Sequence, residues 1–409
     1  MSKADCARNP AGSTVDFRRI FIILAVSNFF LSFGFNVWSV VFNNFAVEDL
    51  GIRASQLGLL QSIREIPGLL GFVIGFLVLW LSEMRVLAVS VLALGLGLVM
   101  TGWATGFGSF TVATLVMSIG FHFYYPVNSS VVLMAAGKEE APKVLGRLGS
   151  ISSLAAVLGT VVIWVLVDGL EVGPLSIAAW GYRRLFFLTG ALVLAGGLVS
   201  LRSGQIRGLE GERRKVVFRR DYWIYYLLTF LMGSRRHIFS TFAVFLLVQV
   251  YGIDVRTTAT LFLINNLFST YASAQLGKLV ARFGERRMLT ANFAAVTCVF
   301  LGYAYIPSLP LLFVLFVVDH ILFGFTVAVD SYFQKIAYSP DEITSNVSLA
   351  QTINHVSALV VPVLGGILWE QIAPAATFVG GAVITLLSLV VVQFIRAREE
   401  PAQMPVALG

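Results

Sequence analysis

Long apolar runs alternate with short polar segments along almost the whole chain. Twelve of these runs have roughly 20 residues or more, which is enough to cross about 30 Å of hydrocarbon as a helix. The predicted spans are 20–45, 56–81, 86–105, 109–135, 145–168, 183–201, 222–250, 256–280, 288–306, 309–335, 345–370 and 374–395. The pattern therefore predicts an all-α integral membrane protein with twelve transmembrane helices.

A polar stretch at 203–221 divides the spans six and six, and the two halves look like repeats. A shift of 202 residues places Gly75 on Gly277 and Arg85 on Arg287, and it lays 128–129 on 330–331. We therefore expect two pseudo-symmetric six-helix bundles with a substrate site between the halves. The predicted segments are a tail at 1–17, a bundle at 18–202, a linker at 203–221, a second bundle at 222–396 and a tail at 397–409.

Lysine and arginine predict the orientation of the spans. If the N-terminus is cytoplasmic, 22 of the 29 basic residues fall at the inner side and only four fall outside. Positive residues collect on the cytoplasmic side of membrane proteins. Both termini are expected in the cytoplasm, in an inner or plasma membrane, and no removable signal peptide is expected.

The composition fits a membrane protein, with 57% hydrophobic and 12% charged residues. Soluble domains carry about 25% charged residues. The net charge of +7 does not indicate nucleic acid, because the basic residues flank the spans. The expected partners are a small-molecule substrate, protons and the lipid bilayer, with no nucleic acid and no cofactor, and a monomer is expected to be functional.

Ten ionisable residues lie near the middle of predicted spans. Charged groups at that depth are rare and usually mark substrate or ion pathways. They fall on the second, fourth, seventh, tenth and eleventh spans: Arg64, Glu65, His122, Arg235, Arg236, His237, Asp319, His320, Asp330 and His355.

The adjacent arginines of the seventh span are the first candidates for substrate binding. Neighbouring residues on a helix diverge by about 100°, so Arg235 and Arg236 cannot point the same way. One is expected to bind an anionic group and the other to pair with Asp319 or Glu65. The alternative is that both arginines close internal ion pairs. The other predicted substrate-binding residues are His237, His122, Tyr124, Tyr125, Asn128, Asn36, Asn354 and His355.

Carboxylates and histidines within spans suggest proton coupling, because histidine changes charge near neutral pH. The candidates are Glu65, Arg64, Asp319, His320 and Asp330. A structural ion pair of Arg64 with Glu65 is the alternative at the second span. No two histidines stand at i, i+4 spacing, so no metal site is predicted.

The chain resembles the major facilitator superfamily at the loop that runs from Gly277 to Arg287. The loop is similar to the family's Gly-x-Leu-x-Asp-Arg-x-Gly-Arg-Arg signature, with Ala281 in place of the Asp. The matching loop of the first half keeps Gly75 and Arg85 but lacks most of the signature. The resemblance implies a conformational latch that stabilises an outward-open state, formed here by Gly277, Arg282, Gly284, Arg286 and Arg287.

The sequence thus predicts a secondary active transporter that moves a small, anionic organic solute by alternating access with proton coupling. No Gly-x-x-x-x-Gly-Lys-Ser/Thr loop is present, so ATP is not the expected direct energy source. No nucleophile–base pair stands out, so neither catalytic residues nor an enzyme are predicted. The alternatives are a transporter-derived membrane sensor or scaffold and a divalent metal exporter.

Overall fold

A computed structural model describes residues 17–71, 73–172, 175–201 and 218–395. The predicted tails, 1–17 and 397–409, and the predicted linker, 203–221, lie almost entirely outside the described residues. The described chain is helical apart from one short β-hairpin, which confirms the all-α class.

The first half of the chain contains six helices and the hairpin. They are α1 (Phe17–Asn44), which continues as a π-helical turn (Phe45–Asp49), α2 (Ala54–Leu69), α3 (Val73–Trp80), α4 (Glu83–Trp103), α5 (Phe107–Leu166), β1 (Leu170–Val172), β2 (Leu175–Ile177) and α6 (Gly181–Leu201). The strands pair antiparallel, with Leu170 opposite Ile177.

The second half begins with a 3₁₀ turn (Arg220–Tyr222) and continues with seven helices. These are α7 (Trp223–Gln249), α8 (Val255–Phe283), α9 (Glu285–Tyr305), α10 (Leu309–Phe323), α11 (Thr326–Ile336), α12 (Pro340–Gln371) and α13 (Pro374–Val392).

Two predicted spans are broken into two helices each. In the second span, α2 ends two residues after Pro67, whose ring removes a backbone donor, and α3 resumes at Val73. In the tenth span, Gly324 and Phe325 separate α10 from α11. Broken helices within membranes commonly border substrate sites.

The fourth and fifth predicted spans are confirmed as two helical stretches of α5, Phe107–Gly137 and Glu140–Leu166, which meet at a kink rather than across a longer loop. The path changes only at Gly137, whose φ is +73°. A left-handed backbone at that position favours glycine. The segment expected as a cytoplasmic loop is therefore largely helical.

Nine helical stretches of the described chain are long and apolar enough to cross a membrane. The second, seventh and eighth predicted spans are not among them. The second is broken, whereas α7 and α8 have 27 and 29 residues but carry polar groups such as the Arg235–Arg236 pair. An integral membrane protein is thus supported, and the count of twelve stays a prediction.

The first of two compact units comprises Met1–Glu212, Thr241–Ile264 and Ala358–Gln371. Glycines allow its helices to approach closely. A Cβ on Gly97 would lie 2.4 Å from the backbone nitrogen of Met117, and one on Gly120 would lie 2.3 Å from the carbonyl oxygen of Ser90. Small residues at these crossings bring α4 and α5 together, as in many membrane helix pairs.

The second unit comprises Arg213–Ser240, Asn265–Ser357 and Ile372–Gly409. Its core is aromatic. Tyr225 stacks on Phe333 at 4.2 Å between ring centroids, and Phe293 is completely buried in the same cluster. This core fixes α7 against α11, which positions the polar groups described next. The predicted domain boundaries themselves stay a prediction.

Candidate functional site

Arg235 and Asp319 form a buried ion pair within the second unit. Nη1 of Arg235 and Oδ1 of Asp319 lie 2.9 Å apart, and the two residues are 0% and 4% exposed. The Arg235 guanidinium also lies over the Phe323 ring, 5.4 Å from its centroid. The pair joins α7 to α10. Removal of one partner would leave an uncompensated charge in the protein interior, which is strongly destabilising.

Arg236 has a different environment although it is the next residue. It is exposed, and its guanidinium lies 4.4 Å from the centroid of the same Phe323 ring. It lines a cavity of about 300 Å³ in the second unit. The divergence of neighbouring side chains around a helix explains the difference.

The cavity is bounded by α7, by the junction of α10 and α11, and by α12. Its lining residues are Tyr225, Thr229, Met232, Gly233, Arg236, Phe323, Thr326, Val329, Asp330, Ala350, Gln351 and Asn354. The mixture of aromatic, apolar and hydrogen-bonding side chains is typical of small-molecule sites. The volume is at the small end of the range of about 300–1,000 Å³ for ligand pockets.

The helix break and one glycine shape this cavity. The break at Gly324 places Phe323 at the end of α10 and Thr326 at the start of α11, and both line the cavity wall. A Cβ on Gly233 would lie 2.6 Å from Ser357 Oγ and 2.8 Å from Asn354 Oδ1, so α7 passes close to α12 there. Sequence analysis missed the contribution of Gly233 and Phe323, because neither carries a polar group.

Of the other candidates in the second unit, only Asn354 and Asp330 line the cavity. His320 is half-buried beside the Arg235–Asp319 pair, and its Nδ1 lies 2.9 Å from the carbonyl oxygen of Phe316. His237 is buried on α7 and His355 is half-buried on α12, and neither lines the cavity.

Glu65 is the centre of a second polar cluster, which lies within the first unit. Its Oε1 lies 2.9 Å from Nη2 of Arg64, and its Oε2 lies 3.6 Å from Nε2 of His122. His122 also contacts Ser118, with 2.9 Å between Nδ1 and Oγ. Arg64 lies over the Trp38 ring at 5.8 Å. A buried carboxylate is therefore held between a permanent cation and a titratable imidazole, and it joins α2 to α5.

The remaining candidates of the first unit are mostly packed. Tyr124 is completely buried, and its hydroxyl lies 3.1 Å from Ser27 Oγ. Tyr125 is exposed and packs edge-on against Phe121. Asn36 accepts a hydrogen bond of 3.4 Å from Thr160. Asn128 is buried, and its Oδ1 has no hydrogen-bond partner among the described residues.

The predicted latch loop lies at the junction of α8 and α9. Gly284 has a φ of +81° and caps α9, which explains why a glycine stands there. Arg286 donates to Gln393 at 3.2 Å, whereas Gly277 and Arg287 are exposed. Arg282 lies over the Phe283 ring at 5.2 Å.

Sequence analysis missed the role of an acidic residue within this loop. Glu285 Oε1 lies 2.7 Å from Lys335 Nζ and accepts a hydrogen bond of 2.7 Å from Ser331. These contacts tie the start of α9 to the end of α11. The sequence feature that could have identified Glu285 as an ion-pair partner is its position inside the signature-like loop.

Long apolar helices with buried charges and a polar cavity are typical of polytopic membrane transport proteins. The model of the Major Facilitator Superfamily matches residues 24–337, and the chain belongs to this superfamily. Membership of this superfamily of membrane transporters is what the sequence predicted.

The chain is also similar to a curated relative and to two solved structures. An uncharacterised MFS-type transporter of Methanocaldococcus jannaschii is 25% identical over 151 residues, which are 37% of this chain and 38% of that protein. The match therefore spans less than half the length of this curated relative.

The structural matches extend over nearly the whole chain. The crystal structure of the nucleoside transporter NupG has a TM-score of 0.71 and 14% identity, and it covers 91% of this chain and 97% of that chain. A bacterial homologue of the human lysosomal transporter Spinster, inward-facing and unoccupied, has a TM-score of 0.76 and 14% identity, with 97% and 100% covered. At this identity the likeness establishes the fold alone.

Proposed function

We propose that the protein is a proton-coupled secondary active transporter of a small organic solute that carries an acidic group, and that Arg236 binds this group. The observation that carries the proposal is the contrast between the two adjacent arginines. Arg235 is buried against Asp319, whereas Arg236 lines the cavity of the second unit.

Arg236 suits the recognition of an acidic group for physical reasons. A guanidinium presents a planar fork of donors that matches a carboxylate or phosphate bidentately. The Phe323 ring lies against the guanidinium, 4.4 Å from ring centroid to Cζ, and limits its rotation. Hydrogen-bonding groups of α7, α11 and α12 surround it, among them Thr229, Thr326 and Asn354.

Glu65 is the residue that we assign to proton coupling. The carboxylate contacts both Arg64 and His122, so a proton on Glu65 would weaken two contacts at once. The protonation state then biases the packing of α2 against α5, which is the kind of two-state element that alternating access requires. His122 offers a neighbouring group that can accept the released proton.

The membrane orientation belongs to the same proposal. The asymmetry of lysine and arginine supports both termini in the cytoplasm and a location in the plasma or inner membrane. A single cysteine introduced at Gly208, in a variant that lacks the two native cysteines, should react with an impermeant maleimide only after permeabilisation. Reaction in intact cells would overturn the orientation.

Proton flux in vesicles tests the proposed function. Purified protein is reconstituted with an internal pH dye, and a panel of carboxylates, phosphate monoesters, amino acids, neutral sugars and divalent metals is added outside. We expect one acid-bearing class to drive proton movement in the wild type and much less in Arg236→Gln, with Arg220→Lys as the control for a surface arginine.

Four results would overturn the proposal. Proton flux driven only by neutral solutes would exclude an acidic substrate. Proton flux driven only by divalent metals would also exclude it and would favour a metal exporter. Equal flux in Arg236→Gln would exclude the assigned ligand. Binding of an acid without any flux would favour a membrane sensor.

A further inference from the structure

The cavity contains two charged side chains of opposite sign. Arg236 enters it from α7 and Asp330 enters it from α11. Asp330 is exposed, and it forms no ion pair with any residue that the structure describes. The other aspartate of the same predicted span, Asp319, is buried against Arg235 instead. The cavity therefore has a positive pole and a negative pole.

The wall between the poles is neutral. Tyr225 and Thr229 of α7 and Gln351 of α12 supply hydrogen-bonding groups, whereas Met232 and Val329 supply apolar surface. Such a wall accommodates a short organic body with few further charges. Among the residues that the structure describes, no second arginine or lysine lines the cavity.

The two poles constrain the charge of the occupant. A simple anion would satisfy Arg236 but would approach the carboxylate of Asp330 and remove water from it, and a desolvated unpaired charge is unfavourable. A simple cation would suit Asp330 but would approach the guanidinium of Arg236, and like charges repel. A molecule with one acidic and one ammonium group would satisfy both side chains.

We propose that the solute is a small zwitterion, with its carboxylate at Arg236 and its ammonium group at Asp330. This inference rests on the proposed function, and it specifies the substrate of the same cavity. The volume of about 300 Å³ favours a molecule of amino-acid size. Asp330 must then be ionised when it binds the solute, which makes it a substrate ligand and not the proton carrier that the sequence suggested.

The inference is tested with matched probes on the purified, full-length protein. The probes are the ω-amino acids from glycine to 6-aminohexanoate together with leucine and phenylalanine. Each is compared with the carboxylic acid and the amine that remain when one charged group is removed. Binding is measured by calorimetry on the wild type, Arg236→Gln, Asp330→Asn and the exposed control Asp221→Asn, with a melting curve for each protein.

We expect at least one amino acid to bind roughly tenfold or more tightly than both of its singly charged analogues. Asp330→Asn should weaken the binding of that amino acid by a similar factor. The same variant should bind the matching carboxylic acid as tightly as the wild type does, or more tightly. Arg236→Gln should weaken both. Asp221→Asn should bind as the wild type does, and similar melting temperatures should exclude unfolding as the cause.

The zwitterion is overturned if the carboxylic acids bind as tightly as the amino acids, if Asp330→Asn keeps wild-type affinity for the amino acid, or if no amino acid binds. The proposed function would still hold after any of these results, provided that a carboxylate drives proton flux in vesicles and that this flux depends on Arg236. Flux that is indifferent to Arg236 would instead remove the proposed function.

Discussion

Two arginine–aspartate regions of the second unit begin at neighbouring residues of α7 and differ in their surroundings. At Arg235 and Asp319 the charges meet at 2.9 Å and are buried. At Arg236 and Asp330 the charged groups line a cavity, and no ion pair between them occurs in the described structure. The first region is an internal ion pair, and the second is the region that we propose binds the solute. A charged residue within a span is therefore not by itself evidence of a binding site. Two arginines that are adjacent in sequence point in different directions from α7, and only one of them lines the cavity.

The largest effect is expected at the buried pair. Arg235→Gln or Asp319→Asn alone leaves one buried charge without its partner, which costs roughly 3–5 kcal/mol. We expect poor expression or a much lower melting temperature for each single variant. The double variant Arg235→Gln with Asp319→Asn should recover part of the loss, because no unpaired charge remains.

Melting curves in one detergent measure this double-mutant cycle. The interpretation of Arg235 and Asp319 as a buried ion pair is contradicted if either single variant has the melting temperature of the wild type. It is also contradicted if the double variant is destabilised by the sum of the two single effects, since the two side chains would then not be coupled.

The next effect concerns Glu65, the corresponding buried carboxylate of the first unit. Glu65→Gln keeps the shape and hydrogen-bonding capacity of the side chain but cannot exchange a proton. We expect this variant still to exchange the transported solute across the membrane in counterflow. A proton gradient should no longer drive accumulation of the solute above its concentration outside the vesicles. Vesicle uptake with and without a pH gradient measures both, and Glu140→Gln serves as the control at an exposed carboxylate. Uphill accumulation by Glu65→Gln at the wild-type level would exclude Glu65 as the proton carrier.

The smallest effect is expected at an ion pair near the end of the membrane region. Arg219 Nη2 lies 2.7 Å from Oε1 of Glu342, and Tyr222 donates a hydrogen bond to Oε2 of the same carboxylate. The hydrogen bonds from Tyr222 and Arg219 hold the pKa of Glu342 below its usual value. Since the folded pKa is depressed, the stabilisation is fully present above the unfolded pKa of about 4.3 and is lost as the pH falls through the folded value.

Glu342→Gln should therefore lower the melting temperature slightly at pH 7, and this difference should shrink as the pH falls below about 4. High salt should reduce it too, because Arg219 is exposed to solvent. Glu140, which the 202-residue shift places opposite Glu342, pairs with Lys143 at 2.7 Å on the surface and is the matched control. If Glu342→Gln lowered the melting temperature at pH 7 as much as Asp319→Asn does, the buried and the peripheral ion pair would not differ in their effect on stability.

Sequence reasoning predicted the helical class and most spans because hydropathy depends on composition over a window of about 20 residues. It also predicted that Arg235 and Arg236 would diverge, because that follows from helix geometry alone. It could not tell which of the two is buried, since this depends on how α7 packs against α10. The positive φ of Gly137 and the break at Gly324 were equally hidden, because both arise from tertiary packing.

The candidate site was predicted only in part for the same reason. The sequence singled out Arg236, Asp330 and Asn354, but it gave Asp330 a different role from Arg236. Their common cavity depends on long-range contacts between α7, α11 and α12. Likewise, the contact of Glu65 with His122 joins residues that are 57 positions apart in sequence, and no local pattern indicates it.

The most direct test of the central claim is a side-by-side comparison of Arg235→Lys and Arg236→Lys. Lysine keeps the charge but loses the planar fork. Each variant is melted and titrated with the acid-bearing solute that gives the largest proton flux in the vesicle screen. The account predicts that Arg236→Lys melts as the wild type does but binds more weakly by about 1.5–3 kcal/mol, whereas Arg235→Lys is destabilised. Unchanged affinity in Arg236→Lys, with both variants folded, would contradict the account.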